Sequence, residues 1–261
     1  MAHSTHDRFS VADRTAIVTG ASSGIGRAIA EDFAADGANV VVCSREQDNV
    51  DPVAEGIRDG DGGGDALAVE CDVTDRDAVE ALVEATVSEF GGLDALVNNA
   101  GASFVANFED ISPNGWQKIL DINLTGTYNC TQAAAEHLAD GGGTVLNVAS
   151  VAGQQGAPYM SHYGAAKAAV VNLTRSLAYE WASDGVRVNC IAPGFVATPG
   201  LESQMGISAD DVEREDVERR VGVSEEIADV ARFLVSPASS FVVGETVTAA
   251  GVPDVMESPD V

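Results

Sequence analysis

Short apolar runs rich in β-branched residues alternate along the chain with longer segments whose apolar residues recur at helical spacing. The short runs predict strands at Thr15–Thr19, Asn39–Cys43, Ala66–Cys71, Ala95–Asn98, Thr144–Ala149, Val186–Ile191 and Thr246–Ala249. The longer segments predict helices at Arg27–Ala35, Asp75–Phe90, Trp116–His137, Gly164–Trp181 and Glu225–Leu234, the last after a Ser224 cap. Strands that alternate with helices require parallel crossovers, so the pattern predicts an α/β fold: a doubly wound parallel sheet with helices on both faces.

One long stretch departs from this alternation. Residues Phe195–Val223 carry many charges, several glycines and no strand signal, and a segment of this kind is typical of a lid over a binding site. The glycine-rich Gly56–Asp65 predicts a surface turn. We expect residues 1–13 and 252–261 to be tails, and residues 1–261 to form a single domain.

The composition is that of a globular protein that folds around one core. The chain has 261 residues, 45% of them hydrophobic, and it contains no apolar run of membrane-spanning length and no apolar signal segment. Its four cysteines are far apart, and Cys43, Cys71 and Cys190 lie in or beside apolar runs, which favours buried reduced thiols. We therefore expect a cytoplasmic protein.

The charge is unusual, because 14 basic residues stand against 41 acidic ones and give a formal net charge of −27. A surface of this sign repels nucleic acids and anionic membranes, so neither is expected as a partner. Only Lys118 and Lys167 are lysines, and the other basic residues are arginines. An acidic, lysine-poor chain of this kind indicates a halophilic protein, whose self-repulsion is screened by multimolar salt.

A glycine-rich turn follows the first predicted strand and leads directly into a helix. It reads Gly20-Ala21-Ser22-Ser23-Gly24-Ile25-Gly26, and glycines in this position let the backbone approach a pyrophosphate at the helix N-terminus. At the end of the second strand, where an acid would accept from the ribose of NAD, the chain has Ser44-Arg45. A guanidinium there suits the 2′-phosphate of NADP, so NADP(H) is favoured over NAD(H). Alternatively, Arg45 pairs with Glu46 or another surface acid.

Tyr163 and Lys167 are four residues apart and therefore share one face of a helix. A neighbouring ammonium favours the phenolate and lowers the pKa of a phenol, which then can exchange a proton with an oxygen as hydride moves at the attached carbon. His162 stands beside this pair as a substrate contact or as a solvated residue at a helix start. The four histidines are too scattered to predict a metal site.

The order and spacing of several motifs resemble the short-chain dehydrogenase/reductase family from about Arg14 to Gly251. The motifs are Thr19–Gly26 (TGASSGIG), Asp72-Val73, Asn98–Gly101 (NNAG), Asn123, Ser150, Tyr163xxxLys167 and Pro193-Gly194. The resemblance implies a Rossmann-type fold, hydride transfer between a nicotinamide and a carbonyl or secondary alcohol, and a homotetramer. Its members pack their long helices together, here Trp116–His137 and Gly164–Trp181.

The resemblance also implies roles for individual residues. Tyr163 is the expected acid/base, Ser150 binds the substrate oxygen, Lys167 lowers the phenol's pKa and holds the nicotinamide ribose, and Asn123 places a water for proton relay. The expected cofactor contacts are Gly20, Ser22, Ser23, Gly24, Ile25 and Gly26 at the pyrophosphate, Arg45 at the ribose, Asp72, Val73, Asn99, Ala100 and Gly101 on the adenosine side, and Pro193, Gly194, Val196 and Thr198 at the nicotinamide, with Tyr163 and Lys167.

The sequence departs from the family pattern in two places. Ala149 precedes Ser150 where many relatives have serine, and Val247–Gly251 (VTAAG) replaces Val-Asp-Gly-Gly. The segments Asn98–Asp110 and Gly200–Val223 are expected to shape the substrate pocket, and they look closest to those of 3-oxoacyl-thioester reductases. The acidic lid nevertheless disfavours an anionic CoA or acyl carrier unless Arg214, Arg219 and Arg220 offset its charge. Sugar, polyol or other secondary-alcohol dehydrogenases, dienoyl-CoA reductases and inactive NADP-binding regulatory or structural proteins remain alternatives.

Overall fold

A computed structural model describes residues 8–253, and its framework is a seven-stranded sheet in which every neighbouring pair of strands runs parallel. The strands in chain order are β1 (Thr15–Thr19), β2 (Asn39–Ser44), β3 (Ala66–Glu70), β4 (Ala95–Asn98), β5 (Thr144–Val148), β6 (Arg187–Pro193), β7 (Phe195–Ala197), β8 (Val221–Val223) and β9 (Thr246–Ala249). The large sheet has the order β3-β2-β1-β4-β5-β6-β9, and β7 pairs with β8 in a small parallel sheet.

Helices connect the strands and cover both faces of the large sheet. They are α1 (Gly24–Ala35), α2 (Asp51–Arg58), α3 (Arg76–Phe90), α4 (Pro113–Leu120), α5 (Gly126–Gly141), α6 (Ala152–Gln155), α7 (Ser161–Glu180), α8 (Pro199–Met205) and α9 (Ser224–Val235). A π-helical segment, Asp121–Thr125, joins α4 to α5 without a break. Short 3₁₀ turns occur at Gln47–Asn49, Phe108–Asp110, Ala182–Asp184, Ala209–Asp211 and Pro237–Ser239.

The two faces of the sheet carry separate apolar cores because successive side chains of a strand point to opposite sides. Val18 of β1 belongs to the core that Phe33 of α1 and Leu234 of α9 fill. Its neighbour Ile17 belongs to the opposite core, with Leu82 of α3 and Leu138 of α5. Strands buried on both faces are typical of parallel sheets, and the predicted doubly wound α/β fold is confirmed.

A chain of hydrogen-bonded side chains crosses the buried carboxyl half of the sheet. Asn98 Nδ2 donates to Asn147 Oδ1 at 2.9 Å and to Thr131 Oγ1 at 2.8 Å, and Asn147 Nδ2 donates to Thr174 Oγ1 at 2.9 Å. All four residues are buried, so each hydrogen bond avoids the unfavourable desolvation of an unpaired amide or hydroxyl. These hydrogen bonds fix β4 and β5 to α5 and to α7, the helix that carries Tyr163 and Lys167.

Two predictions of local structure were wrong, one for the segment between β2 and β3 and one for the start of α9. Gly56–Asp65 is not a plain turn, because Gly56 to Arg58 complete helix α2, whose Val53, Ala54 and Ile57 form a buried stripe. The glycines there obscured a helix with proline in its first turn. Ser224 is the first residue of α9 and not its cap, and Glu226 instead accepts a hydrogen bond from the Val223 N–H at 3.1 Å.

The predicted lid, Phe195–Val223, is more structured than the sequence indicated. It begins with β7 and ends with β8, and α8 lies between them, so the expectation of no strand was wrong. Strands of three residues are too short to show a period in the sequence. Pairing of β7 with β8 fixes both ends of the lid beside the large sheet.

The tail predictions fall largely on residues outside the described range. Residues 1–7 and 254–261 lie outside it, but Val11 is buried in the first core, and its N–H donates to Asp36 Oδ2 at 2.6 Å. The last residues of the predicted N-terminal tail therefore pack onto α1. No helix within residues 8–253 is long and apolar enough to cross a membrane.

Two glycines of helix α5 give a matched test of how closely this helix packs against Val73. A Cβ at Gly126 would lie 2.6 Å from Val73 Cγ2, whereas a Cβ at Gly141 would meet nothing within 4 Å. We expect Gly126→Ala to lower the free energy of unfolding by about 1 kcal/mol or more through overpacking, and Gly141→Ala to raise it by about 0.5 kcal/mol through helix propensity. Urea unfolding of both variants measures the difference, and equal shifts would contradict the close contact at Val73.

Candidate active site

The glycine-rich turn lies between β1 and α1, at the carboxyl edge of the sheet. Gly20 (φ +64°) and Gly24 (φ +55°) adopt the left-handed backbone conformation that side chains disfavour. Asn99 supports the turn, because its Nδ2 donates to the Thr19 carbonyl at 2.9 Å and to the Gly20 carbonyl at 3.1 Å. The Asn99 side chain therefore stabilises the glycine turn, a role that was not predicted from the sequence.

The start of α1 has the properties of an anion site. Ser23 is the N-cap residue, and its side chain makes no capping hydrogen bond, so the first amides of the helix are not satisfied by it. Ser23 is exposed, Ser22 and Ile25 are partly exposed, and a Cβ at Gly26 would collide with the Asn99 amide. Free amides at a helix N-terminus behind a glycine turn fit the pyrophosphate of a dinucleotide.

The residues expected at the adenosine follow the ends of β2, β3 and β4. Arg45 is exposed after β2 and makes no ion pair with any residue in the described range, so the predicted pairing with Glu46 is absent. Asp72 Oδ1 accepts from the Thr74 N–H at 2.9 Å and from Thr74 Oγ1 at 2.8 Å. Val73 is buried against α5, and Ala100 and Gly101 follow β4 directly.

The end of β6 brings the lid to the same edge. The Pro193 carbonyl accepts from the Val151 N–H at 3.0 Å, and the Gly194 N–H donates to the Ala249 carbonyl at 2.9 Å. Beyond the buried Val196, Thr198 caps α8 through its Oγ1, 3.2 Å from the Leu201 amide. The Thr198 methyl lies 3.1 Å from the position of a Cβ on Gly24, so the base of the lid faces the glycine turn.

Lys167 is buried in the middle of this edge. Its Nζ donates to the Val148 carbonyl at 2.8 Å and lies 5.7 Å from the centre of the Tyr163 ring. Burial lowers the pKa of Lys167 to about 8, because an ammonium without water is unfavourable, and nearby Cys190 opposes this by raising the pKa. An ammonium has three donors, so two remain for oxygens of a ligand such as ribose hydroxyls.

Asn123 lies beside Lys167 in the π-helical segment, a local widening that often marks functional sites. Its Nδ2 donates to the Ala102 and Ile119 carbonyls at 2.8 and 2.9 Å, while its buried Oδ1 has no protein partner in the described range. A Cβ on Gly101 would lie 2.9 Å from this oxygen and 3.5 Å from Lys167 Nζ. Glycine at position 101 thus leaves a small space that the lysine and the unpartnered oxygen share.

Ser150 and Tyr163 complete the group. Burial raises the pKa of the Tyr163 phenol above its ordinary value, and a hydrogen bond between Ser150 and Tyr163 partly opposes the rise. We expected Lys167 to lower the pKa of Tyr163, but in the structure the loss of solvent around the phenol raises it. The phenol is therefore protonated near neutral pH and suited to donate its proton.

The four candidate catalytic residues, Asn123, Ser150, Tyr163 and Lys167, come from three separate segments and meet at one place. The cofactor candidates border them along the carboxyl edge, and the unpartnered oxygen, the spare ammonium donors and the glycine turn fit a nicotinamide dinucleotide. The expectation of a solvated His162 was wrong, since its side chain is fully buried beneath Phe104. The sequence placed Phe104 only within the segment Asn98–Asp110 expected at the substrate pocket, and the tertiary structure alone shows that its ring packs on His162.

Known proteins are similar to this chain over nearly its whole length. A family model described as enoyl-(acyl carrier protein) reductase matches residues 20–251. A cis-4-hydroxycyclohexanecarboxylate dehydrogenase from Sinomonas cyclohexanicum is 42% identical over 92% of this chain and 96% of the relative. A 3-oxoacyl-[acyl-carrier-protein] reductase from Synechocystis is 40% identical over 91% of this chain and 96% of the relative.

One similar solved structure contains a bound cofactor. A Beutenbergia cavernae protein provisionally described as an NAD(P)-dependent gluconate 5-dehydrogenase, with bound NADP at low occupancy, superimposes with a TM-score of 0.82. It is 36% identical and covers 92% of this chain and 96% of its own.

The lowered pKa of Lys167 predicts how stability changes with pH. In the unfolded chain Lys167 has the ordinary lysine pKa of 10.5, so it keeps its proton at pH values where the folded chain has already lost it. The free energy of unfolding therefore rises as the pH increases above about 8, the pKa of Lys167 in the folded chain. Between about pH 7 and about pH 9 this contributes roughly 1 kcal/mol, which Lys167→Met should remove. Urea unfolding at both pH values tests this, and Lys118→Met, which removes an exposed ammonium, should keep the parent's pH dependence.

Proposed function

This chain belongs to the short-chain dehydrogenase/reductase family and is an NAD(P)-dependent oxidoreductase, and we propose that it uses NADP(H) to reduce a 3-oxoacyl thioester to the 3-hydroxyacyl thioester. The observation that carries the proposal is the convergence of Ser150, Tyr163, Lys167 and Asn123 beside the glycine turn. The relative from Synechocystis supports the thioester class. An inactive regulatory protein is a weaker alternative, because such a protein has no need of the complete set.

The bound nicotinamide would supply hydride to the carbonyl carbon. The Ser150 hydroxyl is near enough to the Tyr163 phenol to lower its pKa, and both hydroxyls would donate hydrogen bonds to a substrate oxygen placed between them. Tyr163, kept protonated by burial, gives its proton to that oxygen as the alcohol forms. In the oxidative direction the phenolate takes the proton back.

Lys167 and Asn123 return the proton to the phenol. Lys167 Nζ is fixed by the Val148 carbonyl, and with a pKa of about 8 it can lose and regain a proton near neutral pH. We propose that a water bound to the unpartnered Asn123 Oδ1 links this ammonium to solvent, through the space that Gly101 leaves open. Gly20, Gly24 and Gly26 with the α1 amides would hold the pyrophosphate, and Pro193, Gly194, Val196 and Thr198 would flank the nicotinamide.

A second candidate is a smaller secondary alcohol or ketone. Arg219 forms an ion pair with Glu226, and Arg214 lies 3.9 Å from the same carboxylate, so these arginines do not offset the acidic lid as the thioester proposal requires. The exposed side chains of Phe104, Val105 and Phe108 form an apolar rim that suits an alicyclic ring better than a sugar. The relative from Sinomonas cyclohexanicum supports this alternative.

Assembly and habitat are further parts of the proposal. Tyr128 on α5 and Tyr179 on α7 are exposed aromatic residues on the two long helices, which supports their packing in a homotetramer. Four buried free cysteines support a reducing cytoplasm. The net charge of −27 supports a halophilic protein, so activity is best assayed in multimolar KCl.

Tyr163→Phe tests the chemistry. Removal of the phenol hydroxyl should lower kcat for reduction of acetoacetyl-CoA or 4-oxocyclohexanecarboxylate by roughly 100-fold or more, since general acid catalysis contributes about that much. NADPH binding, followed by its fluorescence, should change by less than about twofold. The control is Tyr179→Phe on the exposed side of the same helix, and unchanged turnover in Tyr163→Phe would overturn the assignment.

Arg45→Gln tests the cofactor. If the guanidinium binds the 2′-phosphate, kcat/KM for NADPH should fall by about tenfold to 100-fold while that for NADH stays the same. Arg175→Gln makes the same change of charge at an exposed arginine on α7 and should leave both values unaltered. A parent enzyme that prefers NADH would contradict the NADP(H) proposal, whatever the variant does.

A further inference from the structure

His162, the residue before Tyr163, is a buried polar group without a protein partner. Its side chain is 0% exposed, and neither Nδ1 nor Nε2 has a hydrogen-bond partner in the described range. An unpaired buried donor or acceptor is unfavourable by roughly 1–3 kcal/mol. Two unpaired nitrogens beside the reacting tyrosine therefore indicate that a ligand is their partner.

The ring of Phe104 packs against the imidazole of His162. The Phe104 ring centre lies 4.1 Å from that of the imidazole, with an angle of 59° between the planes, and Phe104 is itself 36% exposed. Phe104 belongs to the segment that begins at Gly101, beside Lys167 and Asn123. Phe104 thus contacts the buried imidazole on one side and solvent on the other, in the segment expected to border the substrate.

The backbone under this cover is strained at one point. Tyr159 has a φ of 64°, which is unusual for a residue with a side chain, and its carbonyl accepts from the Ala106 N–H at 2.9 Å. This hydrogen bond fixes the Phe104 segment to the start of α7, where His162 and Tyr163 lie. Strained backbone that persists at such a junction is typical of ligand-binding segments.

We propose that His162 is a specificity-determining residue whose N–H binds a second oxygen of the substrate, remote from the reacting carbonyl, once the Phe104 ring turns aside. This rests on the proposed function. A neutral imidazole offers one donor and one acceptor, and burial keeps His162 neutral by lowering its pKa. Its partner is an acceptor oxygen, either the carbonyl of a thioester or a carboxylate such as that of an oxocyclohexanecarboxylate.

The test compares substrates that carry this second oxygen with one that lacks it. In His162→Leu, kcat/KM for acetoacetyl-CoA or for 4-oxocyclohexanecarboxylate should fall by about tenfold or more, whereas that for cyclohexanone should change by less than about twofold. Whichever oxygenated substrate loses activity identifies the source of the oxygen. His162→Gln, which keeps an N–H donor, should recover part of the loss, and His137→Leu on α5 is the matched control.

The alternatives give different results. Equal losses on all three ketones would show that His162 only packs, and no loss on any would show that it is unused; either result overturns the inference while the proposed hydride transfer stands. If the parent reduces none of them, the proposed substrates fail. Imidazole ¹⁵N resonances, assigned by their loss in His162→Gln, then decide the inference: those of His162 should shift with saturating cyclohexanecarboxylate or acetoacetyl-CoA, and unmoved resonances would overturn it.

Discussion

The parallel direction of the seven strands is the constraint on which the remaining structure depends. Because all the neighbouring pairs are parallel, the carboxyl ends of the strands meet at one edge of the sheet. The glycine turn follows β1, the NNAG segment extends from β4, Ser150 follows β5, and Pro193-Gly194 ends β6. Groups far apart in the sequence are thereby brought around one crevice, where open α/β sheets bind their ligands.

The candidate active site contains several energetically unfavourable features close together. Around Tyr163 lie a buried ammonium, a π-helical segment, an unpartnered amide oxygen, an unpartnered imidazole and a residue with positive φ. Beneath them, hydrogen bonds join the side chains from Thr131 to Thr174 across the sheet. A regular, well-paired sheet can tolerate several unfavourable groups at its edge, and such groups are the ones that remain available to a ligand.

The residues that face the substrate can vary more than those that bind the cofactor and transfer hydride. In the proposed mechanism, hydride transfer uses Ser150, Tyr163 and Lys167 whatever group is attached to the carbonyl. The lid, the apolar rim around Phe104 and the buried His162 are the features proposed to distinguish one ketone from another. The ion pairs of Glu226 illustrate the point: the sequence left open whether three arginines offset the acidic lid, and in the structure Arg214 and Arg219 both lie at the Glu226 carboxylate.

The sequence by itself determined the class of fold, most element positions and which residues form the candidate catalytic set. Strands β1, β4 and β9 have the predicted bounds, because alternation and helical spacing are local properties that each segment carries alone. Helix α2 was missed because its glycine and proline obscure a local pattern, and β7 and β8 were missed because three residues show no period. Only the tertiary structure decided that desolvation outweighs the lysine at Tyr163, that Arg45 is unpaired in the described range, and that Phe104 covers His162. The physical reason is that solvation and pairing depend on what the rest of the chain places around a group, which no local spacing specifies.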